Sequence, residues 1–442
     1  MPNFLRLYII AALCLLLATL VFGVLATWAF LYPETYNEFL PFYQLRPFHV
    51  SAALFWIITG ALGSIVYYKN TLLPQEKRYN YTERIFIYLW LTTIAAIFLC
   101  YAFKKFGGRE YWEFPPVLCA PLLVSWLIAM FSYFSDSLVM GKERKPMYIW
   151  MWSTGIFFFL LTFIEQNLWQ LPWFRYSYLR EITVQWKANG SMVGAWNQMI
   201  YGTSLFLMVK ISGDETIANN KTAFLFYMLG LTNLMFNWGH HIYNVPAASW
   251  IRSTSYMISM TEWIFLIRII QGFKSKLQER KKHRHLITYR FIIASEFWVF
   301  MNLLLALAMS IPAINRYTHG THITVAHAMG TTIGINTMIL LGSFSYILDI
   351  DYKSSIIKKS ISFSYWISQY GLLLFWLSLI GAGIMKAHQA TVLNINSFQQ
   401  IMAPVIPFIK LFSIAGIALA IGIGIIAVIY IYYTFNSTKP IN

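Results

Sequence analysis

The residues of this chain best suited to chemistry are its histidines, nine in all. His240 and His241 are adjacent, His319, His322 and His327 are clustered, His49 and His388 stand alone, and His283 and His285 sit in a run of lysines and arginines. Neutral imidazole binds iron, copper and zinc, and heme iron commonly takes an axial histidine. Neighbouring residues on a helix point about 100° apart, so His240 and His241 can share one ion only if it lies beside that wall of the helix. A lone His49 is open to two readings, an axial ligand or a hydrogen-bonded packing residue. Glu110, Glu113 and Glu262 are the carboxylates placed near the same end of the chain's helical spans.

The elements that position these groups follow from composition. Hydrophobic residues make up 58% of the 442 and charged residues 11%, against roughly 25% charged in soluble domains. Apolar runs of about twenty residues, enough to cross a bilayer as helix, cover 4–31, 46–68, 84–103, 116–138, 147–166, 191–210, 222–244, 251–271, 290–312, 321–349, 363–386 and 405–433. The expected architecture is all-α, a polytopic bundle of about twelve transmembrane helices forming a single integral membrane domain over 1–442. Arg6 before the first run resembles a signal-peptide start. The run is too long, however, and lacks a small-residue cleavage site before Tyr32 and Pro33, so it reads as a retained helix.

A net charge of +16 suggests nucleic acid until its distribution is considered. Lys77 and Arg78, the loop 142–145, Lys274 to Arg284, and Lys353 to Lys359 fall on alternate loops, the pattern of cytoplasmic loops with both termini inside. The charge is a topology signal with a secondary attraction to anionic lipid, and nucleic acid is excluded as a partner. His49, His240, His241, His319, His322, His327 and His388 then lie toward the outer, periplasmic side of a bacterial-type inner membrane. Cys14, Cys100 and Cys119 are far apart and form no CxxC or CxxCH, so any heme is held noncovalently and no disulfide is expected. A twelve-helix transporter is the natural rival. Its paired halves or helices broken at the midplane are not evident.

Several of these segments resemble a known family. Thr318 to His327 (THGTHITVAH), Gly239-His240-His241, Gly108 to Glu113 (GREYWE), Glu262 and His49 together resemble the large subunit of nitric oxide reductase, within the heme-copper oxidase superfamily. The resemblance implies two hemes b: a low-spin heme held by His49, with Met329 in the place of its second axial ligand, and a high-spin heme held by His327. Met329 is open to two readings, a thioether ligand or a packing residue with the low-spin heme altered or lost. It implies a nonheme iron on His240 and His241. It further implies electrons from a membrane-anchored cytochrome c subunit, and reduction of two NO to N2O and water with two electrons and two protons. Glu110 and Glu113 then bind calcium, hydrogen-bond heme propionates or carry protons, and those alternatives stay open.

Aligned on Gly194-Ala195-Trp196, the family's third metal histidine falls at Asn189, and two family carboxylates fall at Val193 and Asn197. Amide oxygen is a harder and weaker ligand than imidazole for a late divalent metal. Val193 also stands where main-class oxidases carry a crosslinked tyrosine. Apart from Glu296, the inner half of the spans is poor in ionisable residues, so protons are expected from outside, past Glu110, Glu113 and Glu262. Three functions follow: NO reductase, NO dismutase giving N2 and O2, or a noncatalytic heme protein that binds or senses gas. The purified chain should carry noncovalent heme b, measured as pyridine hemochrome. Stoichiometric zinc with no heme would end this reading.

Overall fold

The computed structural model describes residues 2–436 apart from 37, 39, 141–144, 243–244, 247 and 259–260, with the backbone alone at 237 and 256. Most of the basic loop at 142–145 and parts of the spans 222–244 and 251–271 therefore lie outside the described residues. In hydrocarbon every backbone N–H and C=O must be paired within the protein, which leaves helices as the economical solution. The first seven are α1 (Asn3–Leu31), α2 (Phe42–Leu72), α3 (Tyr81–Ala102), α4 (Cys119–Ser137), α5 (Met147–Gln166), α6 (Tyr178–Ser212) and α7 (Lys221–Phe236). Then come α8 (Ser249–Ile258), α9 (Glu262–Lys276), α10 (Leu286–Ser310), α11 (His322–Met329), α12 (Met338–Ile347), α13 (Ser355–Ala387) and α14 (Ile406–Phe435).

Nine helices of the described residues are long and apolar enough to cross a membrane. The other expected spans are α6, which carries Asn189, α7 with the turn after it that carries His240 and His241, and the α8–α9 pair with Glu262. Helices α7, α8 and α9 are 16, 10 and 15 residues long, and α6 is interrupted by polar side chains. The span 222–244 passes from α7 into a 3-10 turn, Asn237–Ile242, and α8 and α9 cover the span 251–271 on either side of residues 259–260. The span 321–349 passes through a π-helical segment, Gly330–Thr337, between α11 and α12. Such segments recur at functional sites.

Local chemistry sets the ends. Asn80 caps α3 by accepting from Thr82 N, and Thr321 caps α11 by accepting from Ile323 N. Gly213, at φ 70°, closes α6 in the left-handed conformation that favours glycine. Helix α2 is central: 83% of its most apolar stretch is buried, against 33% for α1. It packs on α1, α6 and α12, while α14 packs on both α13 and α1 and so closes the ring.

Burial of apolar surface does not drive helices together in lipid, so packing and interhelical hydrogen bonds carry more of the load. Six tryptophans are fully buried, and each indole N–H finds an acceptor on another segment. Trp56 donates to Thr337, Trp90 to Thr59, Trp126 to the Ile156 carbonyl, Trp152 to Thr203, Trp263 to Tyr201 and Trp298 to Gln369. At about 0.6 kcal/mol each these bonds are individually weak, but they fix which face of each helix meets its neighbour.

The end of the bundle opposite His49 corrects one expectation. Lys69 on α2, Glu83 on α3 and Asp136 on α4 are all buried, and the Lys69 ammonium bridges both carboxylates. Asn70 adds a 3.3 Å hydrogen bond to Glu83. The three lie at the ends of separate spans, so no sequence spacing relates them, and that half of the bundle is not poor in ionisable groups. Removing one member of a buried ion pair strands its partner at a cost of about 3–5 kcal/mol. Lys69→Met should lower the melting temperature in detergent, and adding Glu83→Gln and Asp136→Asn should restore most of it. A Lys69→Met chain that melts like the parent would refute the buried triad.

Candidate functional site

His49 sits near the start of α2 with its Nδ1 2.9 Å from the Thr19 carbonyl of α1. A carbonyl only accepts, so Nδ1 carries the proton and Nε2 keeps the lone pair. This is how a ligating histidine is oriented by its outer partner. Gly23 of α1 makes room for the ring, since a Cβ there would lie 2.8 Å from His49 Cε1 and Nδ1.

Arg46, one turn before His49, was not singled out from the sequence. It pairs with Glu110 at 2.9 Å and also with Glu113, tying the loop between α3 and α4 to the helix that bears His49. In that loop Tyr111 takes φ 74°, which turns the chain so that Glu110 and Glu113 both reach one guanidinium. Arg109 leans the other way, pairing with Glu181 and stacking over Trp169 at 4.0 Å.

The second group of residues is assembled from α6, α7 with its 3-10 turn, α9 and α11. The His240 and His241 ring centroids are 4.0 Å apart. His241 stacks on Trp186 of α6 at 5.3 Å and 14° between planes. Gly239 lets this turn close on α8, because a Cβ there would meet Ser255 Oγ at 2.2 Å. His327, on α11, is 6.2 Å from the Trp263 ring of α9, and its Nδ1 is buried without a hydrogen-bond partner. Asn302 of α10 holds the turn after it, donating to the His327 carbonyl at 2.9 Å and to Thr331 Oγ1 at 2.7 Å. His241 lies within electrostatic range of His240, His327 and His319.

Glu262 is buried; its Oε1 accepts from Asn233 at 2.6 Å, and its Oε2 has no hydrogen-bond partner. Asn189 is also buried, and its Oδ1 accepts from Gln166, whose Oε1 accepts from Trp112. The oxygen expected from the sequence to face a metal is therefore engaged by protein. Met329 closes α11 and packs against the main core. Among the described residues no three His, Cys, Asp or Glu side chains converge as a metal site. What converges is a pair of imidazoles. Cys14, Cys100 and Cys119 are free thiols. Arg46, Trp186, Gln166 and Thr19 carry no signal in the sequence because each is a single residue of ordinary type whose partner is remote in the chain.

Burial raises the Glu113 carboxyl above its ordinary range, Arg46 pulls it back, and Glu110 adds to the rise. A carboxyl raised on folding favours the folded state at low pH, and that contribution is lost as pH climbs through the folded value. Arg46→Met removes the opposing charge. Its loss of thermal stability should be larger near pH ~8 than near pH ~5, and Glu113→Gln in the same chain should remove the pH dependence. Equal losses at both pH values would show that Glu113 is not the group responsible.

The sequence profile of a family described as Cytochrome C and Quinol oxidase polypeptide I matches residues 3–418. A nitric oxide reductase subunit of Stutzerimonas stutzeri is 20% identical over 370 residues, 77% of this chain and 73% of that protein. Cytochrome c oxidase subunit 1 of Rhodobacter capsulatus is 20% identical over 410 residues, 87% of this chain and 76% of that one. A solved heme-copper terminal oxidase superposes with a TM-score of 0.76 at 15% identity, covering 100% of this chain and 85% of the other.

Proposed function

This chain belongs to the cytochrome c and quinol oxidase polypeptide I family, and from that membership and its histidine pair we propose that it is the catalytic subunit of a nitric oxide reductase. Members of the family are membrane oxidoreductases that bind hemes and a metal centre. The finer reading is two hemes b and a nonheme iron, with NO reduced to N2O by electrons from a membrane-anchored c-type cytochrome. The observation that carries it is the adjacent pair His240–His241 in a turn close to His327, together with Val193 where a main-class oxidase would place its tyrosine.

The residues present fit these groups. Thr19 leaves His49 Nε2 free to serve as an axial ligand, and His327 is buried beside Trp263 with an unpaired ring nitrogen. His240 and His241 would hold the nonheme iron through two ring nitrogens. Met329, two residues after His327, would be the second residue to hold the low-spin heme. When bound, the hemes and iron supply the electron transfer and the Lewis acidity that polarises a bound oxygen.

The chain's own side chains do the rest. Trp186 stacked on His241 holds the ring and keeps water from one side of the pair. Glu262, buried with one hydrogen bond to Asn233, is placed to hold a proton and pass it on, because a carboxylate without a cation partner is costly to bury. Glu110 and Glu113 are assigned to the Arg46 tether: the guanidinium supplies the positive charge between them that calcium would otherwise provide. The basic loops lie at the end opposite His49, which supports termini facing the cytoplasm and a site facing the periplasm.

Asn189 favours a second reading, NO dismutase, since it replaces the third imidazole. Anaerobic NO turnover with N2O, N2 and O2 followed together separates the two. Donor-dependent N2O is the expected result, and O2 formed without a donor would select the dismutase. His240→Ala should lose nonheme iron and turnover to background while keeping both hemes. An unchanged iron content there would remove the proposed centre.

A further inference from the structure

We propose that Asn189 is a hydrogen-bond donor to a small molecule bound at the histidine site, not a ligand of the metal, and that Trp112 and Gln166 set its polarity. The identity of that molecule rests on the function proposed above; the polarity of the amide does not. The argument begins at Trp112, whose Nε1–H meets the Gln166 side chain, while the other end of Gln166 meets Asn189. The two ends of a carboxamide are told apart only by their partners, and here the partners leave one solution. An indole N–H can only donate, so the end of Gln166 that faces it is oxygen. The end that faces Asn189 is therefore NH2, and it must meet the Asn189 oxygen. Reversing either amide would set two donors or two acceptors against each other among three buried side chains.

What Asn189 has left is Nδ2, with two hydrogens and no lone pair for a metal. Nδ2 makes no hydrogen bond with the described residues and is not sealed by them. Its place is set by its helical neighbours. Trp186, one turn earlier, stacks on His241, and a Cβ on Gly190 would lie 3.5 Å from His241 Cδ2. Asn189 lies on the neighbouring face of α6, about 60° round the helix from Trp186. A donor held there would stabilise negative charge developing on the oxygen of a bound diatomic or oxyanion, the role of preorganised donors in low-dielectric sites. The aim of that donor is governed from the outer loop, because Trp112 is adjacent to Glu113, which Arg46 holds.

The test uses the full chain with its hemes and iron, and carbon monoxide on the reduced protein as the probe. Asn189→Leu should keep nonheme iron at the parental stoichiometry, raise the C–O stretching frequency because the donor to the CO oxygen is gone, and lower turnover by about 10²–10³-fold. Gln166→Met is similar in size and removes the donor that holds the Asn189 oxygen, so the amide is no longer fixed with its NH2 toward the site and the CO band should shift upward or broaden with the fold and heme content intact. Loss of iron in Asn189→Leu would show that Asn189 is a ligand and overturn the proposal. A CO band unmoved in both variants would overturn it equally. Both readouts are independent of NO chemistry, so a parent chain without NO turnover would count against the proposed function alone.

Discussion

A polar side chain in hydrocarbon has no water to fall back on, and an unpaired buried amide or hydroxyl costs several kcal/mol by the least forgiving transfer scales. Nearly every feature of this bundle answers that constraint. The six buried indoles each find an acceptor on a neighbouring segment. The buried Lys69 answers both Glu83 and Asp136 in a closed triad. The rule is not absolute: a minority of buried polar atoms, Trp196 Nε1, Trp376 Nε1, His327 Nδ1 and Glu262 Oε2 among them, have no hydrogen-bond partner among the described residues.

The two histidine groups satisfy the constraint differently. His49 is fully specified by its neighbours, its proton given to Thr19 and its ring lying against Gly23. His241 is held by stacking on Trp186 and lies against the ring of the adjacent His240.

Composition was sufficient for the bundle, because a bilayer makes length and apolarity almost the whole specification of a spanning helix. It was less accurate around the histidine pair: α6 carries more polar residues than a plain span, and the span 222–244 passes into a 3-10 turn. Motifs singled out His49, His240, His241 and His327 as candidates, since residue type and spacing along one helix are local properties. They could not show that the Asn189 oxygen is held by Gln166, which in turn is held by Trp112. That chain joins a loop to two helices, and its logic lies in donor and acceptor directions. Arg46 was missed for the same reason: its meaning depends on two glutamates more than sixty residues away. The Lys69 triad was missed because three ordinary charged residues at three helix ends carry no pattern.

The separation of the two groups along the chain sets an order of biogenesis. His49 and the groups that orient it, Thr19 and Gly23, all belong to α1 and α2, so this pocket can close once the first two helices have entered the bilayer. His241 and His327 draw on α6, the 3-10 turn, α9 and α11, so their surroundings are complete only after three-quarters of the polypeptide has been synthesised. A nascent chain can therefore orient the His49 ring long before His241 and His327 have their neighbours. Helix α14, packed on α1, then arrives last as the wall that seals the earlier pocket's helix pair against lipid.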